Sequence, residues 1–142
     1  LLTNLVGLEA SKISKNKQIR KFVDKIQIKF ANNPPGNFKG SCLDGRDITY
    51  KILPDADIKF FINAKLHIRA KRRYKELKRY DKNIKYDEVY KSIKLRDKND
   101  RKRKISPLKK TKDSIYIDTS NLSIKGCFSK IKKIIDKKII QN

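Results

Sequence analysis

The sequence predicts an α/β protein in which a parallel sheet is flanked by helices, and three observations carry that expectation. Two apolar runs, Ile58–Ile62 and Ser114–Asp118, read as strands because β-branched and aromatic residues follow one another between turn signals. Segments with helical periodicity lie before, between and after them. Strands that alternate with helices are joined by long crossovers, which bring them together in parallel.

Taken in order, Asn16 to Phe30 places Ile19, Phe22, Val23, Ile26 and Phe30 on one helical face. The turn residues of Asn32-Asn33-Pro34-Pro35-Gly36-Asn37 end it. Gly40 to Leu43 reads as a short strand leading into Asp44-Gly45-Arg46-Asp47, and Pro54-Asp55 turns the chain into the run at Ile58. Two charged helices are expected next, Lys65 to Tyr80 and Tyr86 to about Arg103, with Pro107 closing the pair. After the second strand, Ser123 caps a last helix whose Ile124, Phe128, Ile131 and Ile135 form an apolar stripe.

The 142 residues suffice for one domain with a modest core. The chain begins with Leu1 and contains no methionine, so a piece of a longer protein is expected, and the low strand count points the same way. No apolar run approaches the roughly 20 residues of a membrane span. Cys42 and Cys127 lie far apart and His67 is the only histidine, so a zinc-type ligand set is not expected and the cysteines read as reduced packing residues in a cytoplasmic protein. The net charge of +23 suggests polyanion binding, but lysine far outnumbers arginine and isoleucine and asparagine are abundant, the signature of an AT-rich gene. Only arginine grips an oxyanion with a planar fork, which makes the arginines the informative cations.

Three constellations then stand out. Val89, Ile93, Arg96, Asp100 and Arg103 share one helical face that begins apolar and turns ionic. Either Asp100 bridges two arginines at a helix end, or Arg96 and Arg103 meet an anionic ligand while Asp100 orients them. Arg69, Arg72 and Arg73 crowd like charges at i, i+3 and i+4, which a counter-anion would relieve unless the face is simply solvated. Asp44-Gly45-Arg46-Asp47 follows the expected strand, at the kind of strand end where α/β sheets gather ligands; an ordinary polar turn is the alternative. No G-x-x-x-x-G-K-[ST] occurs, so no phosphate-cradling loop is present in these residues.

Together these features resemble the bacterial cytidylate kinase family. The matching stretches are Glu9 to Ser14, Ile19-Arg20, Asp44 to Thr49, Leu53 to Ala56, Arg69 to Leu77, Ile93 to Asp97 with Asp100 and Arg103, Pro107-Leu108, Tyr116 to Thr119 and Leu122 to Ile124. They span almost the whole chain in order.

The resemblance implies a P-loop nucleoside monophosphate kinase fold with its N-terminal part missing. Residues 1–142 would be a single partial domain, with a helical lid segment at about 65–103 inserted in the core. It implies transfer of the γ-phosphoryl group of ATP, with Mg²⁺, to CMP or dCMP by a monomer, the P-loop ligands lying outside this chain and this chain inactive alone. By matching position, Ser11, Arg20, Asp47 and Arg103 would meet the cytosine side, and Arg46 and Arg96 the CMP phosphate. Asp44 and Asp100 would hold arginines and sugar, while Arg72 and Arg73, with Arg69, would close over the transferring phosphates. Against this stand a basic nucleic-acid-binding module, for which no helix-turn-helix or RNA-binding signature is found, and a truncated remnant without function.

Overall fold

The computed structural model describes Ile13 and residues 16–140. The described chain separates into two compact units, one comprising the residues up to Asp55 with Lys104–Pro107, the other Ala56–Arg103 with the chain from Leu108 onward.

The first unit is built on α1, Lys17–Asn32. Asn16 starts the helix because its side-chain oxygen accepts from the backbone N–H groups of Gln18 (2.9 Å) and Ile19 (3.2 Å), two donors that the first turn leaves without partners. Asn33 ends it, its backbone N–H returning to the Lys29 carbonyl, and Gly36 supplies the left-handed conformation (φ 64°) of the turn that follows. The predicted strand at Gly40–Leu43 is not formed. The segment lies in no ladder, and the described strands pair with each other. The Ser41 hydroxyl ties it instead to the Ala31 carbonyl at 3.0 Å, near the end of α1.

After Asp47 the chain makes one wide helical turn, Ile48–Ile52, in which the Ile52 and Leu53 N–H groups reach back five residues to Asp47 and Ile48. Among the described residues of this unit, Ile48 and Ile52 are the buried apolar ones. The predicted apolar face of α1 exists as a stripe, but Ile19, Phe22, Val23, Ile26 and Phe30 are exposed. Two ion pairs fasten α1 to the wide turn: Arg20 to Asp47 at 3.2 Å and Lys51 to Asp24 at 2.5 Å. The segment around Ser106 joins the same unit, where Tyr50 Oη donates to the Pro107 carbonyl (2.5 Å). Ser106 itself is buried with φ 52°, a conformation uncommon outside glycine.

The second unit holds β1 (Phe60–Asn63), α2 (Leu66–Leu77), α3 (Tyr86–Lys102), β2 (Ile115–Asp118) and α4 (Ile124–Ile140). The two strands pair in parallel with Phe60 opposite Ile115 and Asn63 opposite Asp118, as the alternation of elements requires. The first strand starts at Phe60 rather than Ile58, because the pairing with β2 begins there. Between the strands, α2 and α3 pack against each other, and Ala64, Ala70, Val89 and Ile117 are the buried core. Tyr74, Tyr86 and Tyr90 pack at ring separations of 5.9 and 6.1 Å where the two helices meet. The Ser123 hydroxyl caps α4 by accepting from Gly126 N–H at 3.0 Å, as expected, although Ile124 and Phe128 of its apolar stripe are exposed.

Candidate functional site

In the first unit, the loop 44–47 carries three of the residues singled out in the sequence. Asp47 is 7% exposed and accepts from Arg20 Nη1 at 3.2 Å, so a helix arginine and a loop carboxylate are joined across 27 positions of chain. Arg46 is half-buried beside it and is also engaged by neighbouring groups, while Asp44 is exposed. The loop is closely packed: a Cβ on Gly45 would stand 2.7 Å from Cγ1 of the buried Ile48. Ser11 lies outside the described residues.

In the second unit, α3 delivers Arg96, Asp100 and Arg103 to one place. The Asp100 carboxylate is 17% exposed and stands between two guanidinium groups, 3.8 Å from Arg96 Nε and 3.7 Å from Arg103 Nη1. Those separations exceed a hydrogen bond, so the carboxylate attracts both cations without fixing either in a bonded geometry. Arg103 is the C-terminal cap of the helix, and the next turn of chain comes back onto it, Leu108 N–H donating to the Asp100 carbonyl at 2.7 Å. A carboxylate shared by two arginines holds them near each other while leaving an excess of one positive charge, which suits a phosphate.

The three arginines of α2 do not simply repel one another into solvent, and no external anion is needed to relieve them. Arg69 makes a two-pronged pair with Asp97 of α3, and its Nε donates to the Ala64 carbonyl at 2.8 Å. Arg72 donates to the Thr119 hydroxyl (3.2 Å) and carbonyl (2.6 Å) and to the Leu122 carbonyl (3.1 Å). Arg73 pairs with Glu76 one turn along at 2.8 Å. The expectation from sequence missed Asp97 and Thr119 as partners, since 28 and 47 positions separate them from their arginines and no local spacing signals such contacts.

The segment that receives Arg72 follows the carboxyl end of β2. There the Ser120 N–H donates to Asp118 at 2.8 Å, and Ser120, through its side chain and backbone, holds the Asp118 carboxyl below its usual range. Ser120 Oγ in turn accepts from Lys65 N–H at 2.8 Å, linking the ends of both strands. Among the described residues no group of three His, Cys, Asp or Glu side chains could hold a metal ion, and no helix is long and apolar enough to cross a membrane.

Comparison with known proteins agrees with this arrangement. The cytidylate kinase family model matches residues 1–137. The cytidylate kinase of Thermosipho melanesiensis is 43% identical over 133 residues, 94% of this chain and 59% of that protein. That of Mesomycoplasma hyopneumoniae (strain 7448) is 40% identical over 141 residues, 99% of this chain and 60% of its own length. The cytidylate kinase of Bartonella tribocorum is 43% identical over 136 residues, 96% and 61% respectively. The chain thus spans about three fifths of the curated relatives that it matches. An α/β chain with parallel strands and helix-borne arginines, matched by that model over nearly all its length, belongs to the cytidylate kinase family.

Proposed function

We propose that this chain carries the monophosphate-binding and lid residues of an enzyme that transfers the γ-phosphoryl group of ATP to CMP or dCMP, giving CDP or dCDP. The observation that supports it most is the shared Asp100 carboxylate between Arg96 and Arg103 at the end of α3. In this reading Arg96 and Arg46 take the CMP phosphate. Ser11, Arg20, Asp47 and Arg103 take the cytosine side, and Asp44 and Asp100 orient the arginines and the sugar. Arg72 and Arg73 of α2 serve the phosphates of the second nucleotide. Transfer of a phosphoryl group is achieved chiefly by positioning and by neutralising charge, which arginine forks do well.

No G-x-x-x-x-G-K-[ST] occurs in the 142 residues, and the described residues fit no site for the Mg²⁺ that accompanies ATP. The property proposed for this chain is therefore recognition of the monophosphate, in a monomer of the cytoplasm. Isothermal titration of the chain with CMP, dCMP, UMP and AMP tests it. CMP and dCMP are expected to bind and AMP to give no measurable heat; equal affinity for CMP and AMP would overturn the reading. Binding to duplex DNA that exceeds CMP binding and falls steeply with salt would favour a nucleic-acid module instead.

A further inference from the structure

Arg69 differs from its neighbours on α2 in what it touches. Its two terminal nitrogens donate to both oxygens of Asp97, at 2.8 and 2.5 Å, and its Nε donates to the Ala64 carbonyl at 2.8 Å. One planar group therefore joins the segment after β1, helix α2 and helix α3. The pair is about one third exposed on each side, and Ala64, Ala70 and Val89 are buried in the same unit. Two-pronged pairing of this kind fixes direction as well as distance. Asp97 in turn sits directly after Arg96 and one helical turn before Asp100.

We infer that Arg69 and Asp97 form a strut that sets α3 against α2 and so positions Arg96 and Asp100. Arg69 is then a positioning residue and not one of the groups that meet the phosphates. The comparison with Arg72 supports the division. Arg72 is held by carbonyl and hydroxyl oxygens of Thr119 and Leu122, neutral acceptors that an anionic phosphate outcompetes. Moving Arg69 to a phosphate would instead leave the part-buried carboxylate of Asp97 without its cation, a loss that the new contact must first offset. The inference rests on the proposed function for what is positioned; the strut itself rests on the contacts alone.

The test uses Arg69→Lys, which keeps the charge but cannot fork, Asp97→Asn, which keeps the shape, and the double variant of the chain. Each single variant is expected to raise the CMP dissociation constant about tenfold in titration, and the double variant no further, as for residues acting as a unit. If Arg69→Lys weakens binding of tripolyphosphate while Asp97→Asn does not, Arg69 is a phosphate ligand and the inference fails. Lowered urea midpoints with CMP affinity unchanged would leave only a structural contact and also overturn the positioning role. Should the unsubstituted chain bind no CMP, the functional reading fails. The strut is then judged on urea unfolding, where additive effects of the two substitutions would refute it.

Discussion

The Asp100 carboxylate, 3.8 Å from Arg96 and 3.7 Å from Arg103, shows how residue chemistry separates cations that composition treats alike. Lys98 lies on the same helix and carries the same charge, yet has no fork and no shared carboxylate. Arg96→Ala is expected to weaken CMP binding by about 1.5–3 kcal/mol, the loss of a charge-assisted contact. Lys98→Ala should change it little; titration that gives equal losses would count against the site. Asp47 is a second case, because its carboxylate is 10% exposed and faces Arg20. Asp47→Ala removes an acceptor from a cation that is itself mostly out of water, so the urea unfolding free energy should fall by about 1–3 kcal/mol.

Asp113 gives a pH dependence. Its hydrogen bond from the Lys59 ammonium, helped by Thr111, lowers its pKa from an ordinary 3.8 to about 2. A depressed folded value means that the stabilisation is fully present above about pH 4 and is lost as pH falls through about 2. Acid unfolding of Asp113→Asn should therefore be flatter across that window than unfolding of the parent chain, and two superimposable profiles would refute the assignment.

At the scale of elements, the helices were legible in the sequence because each carries a helical period, and α1 and α4 also carry a capping side chain. Asn16 and Ser123 cap as their side chains allow, and the α2 and α3 boundaries lie within three residues of expectation. The parallel pairing of β1 and β2 was legible from the alternation of strand and helix. The supposed strand at Gly40–Leu43 was not, because a four-residue run becomes a strand only where another backbone offers partners, and that is a property of the fold. The candidate site divides in the same way. Arg96, Asp100 and Arg103 share a face by spacing alone, whereas the Arg69–Asp97 pair depends on which helices pack together. The loop 44–47 yields a test at this scale. Gly45→Ala would drive a methyl group to 2.7 Å from Ile48, one of the buried residues that anchor the wide turn. Overpacking of this sort costs about 1–3 kcal/mol, and circular dichroism melts of the variant should show a matching loss.

Across the whole molecule the +23 charge works against compactness, since the cations far exceed the acidic groups available to pair with them. Screening should relieve that repulsion. Raising salt from about 10 mM to about 150 mM shortens the Debye length from roughly 30 Å to 8 Å, and Tm is expected to rise over that range. A Tm that stays level or falls would mean that the attractive pairs, such as Arg69–Asp97 and Arg20–Asp47, outweigh the general repulsion.

The parallel pairing of β1 with β2 has a consequence for how quickly the second unit assembles. The strands meet residue for residue, yet roughly fifty residues of chain separate them, and closing so long a loop loses entropy before any ladder bond rewards it. The α2–α3 hairpin, made of near neighbours in sequence, can form beforehand and draw the strand ends together. Folding should then be nucleated by the hairpin, with substitutions at Ala70 or Val89 slowing refolding and substitutions at Ile117 mainly hastening unfolding. The long crossover thus makes the rate of reaching the native state a property of the helices, although the strands are what the crossover joins.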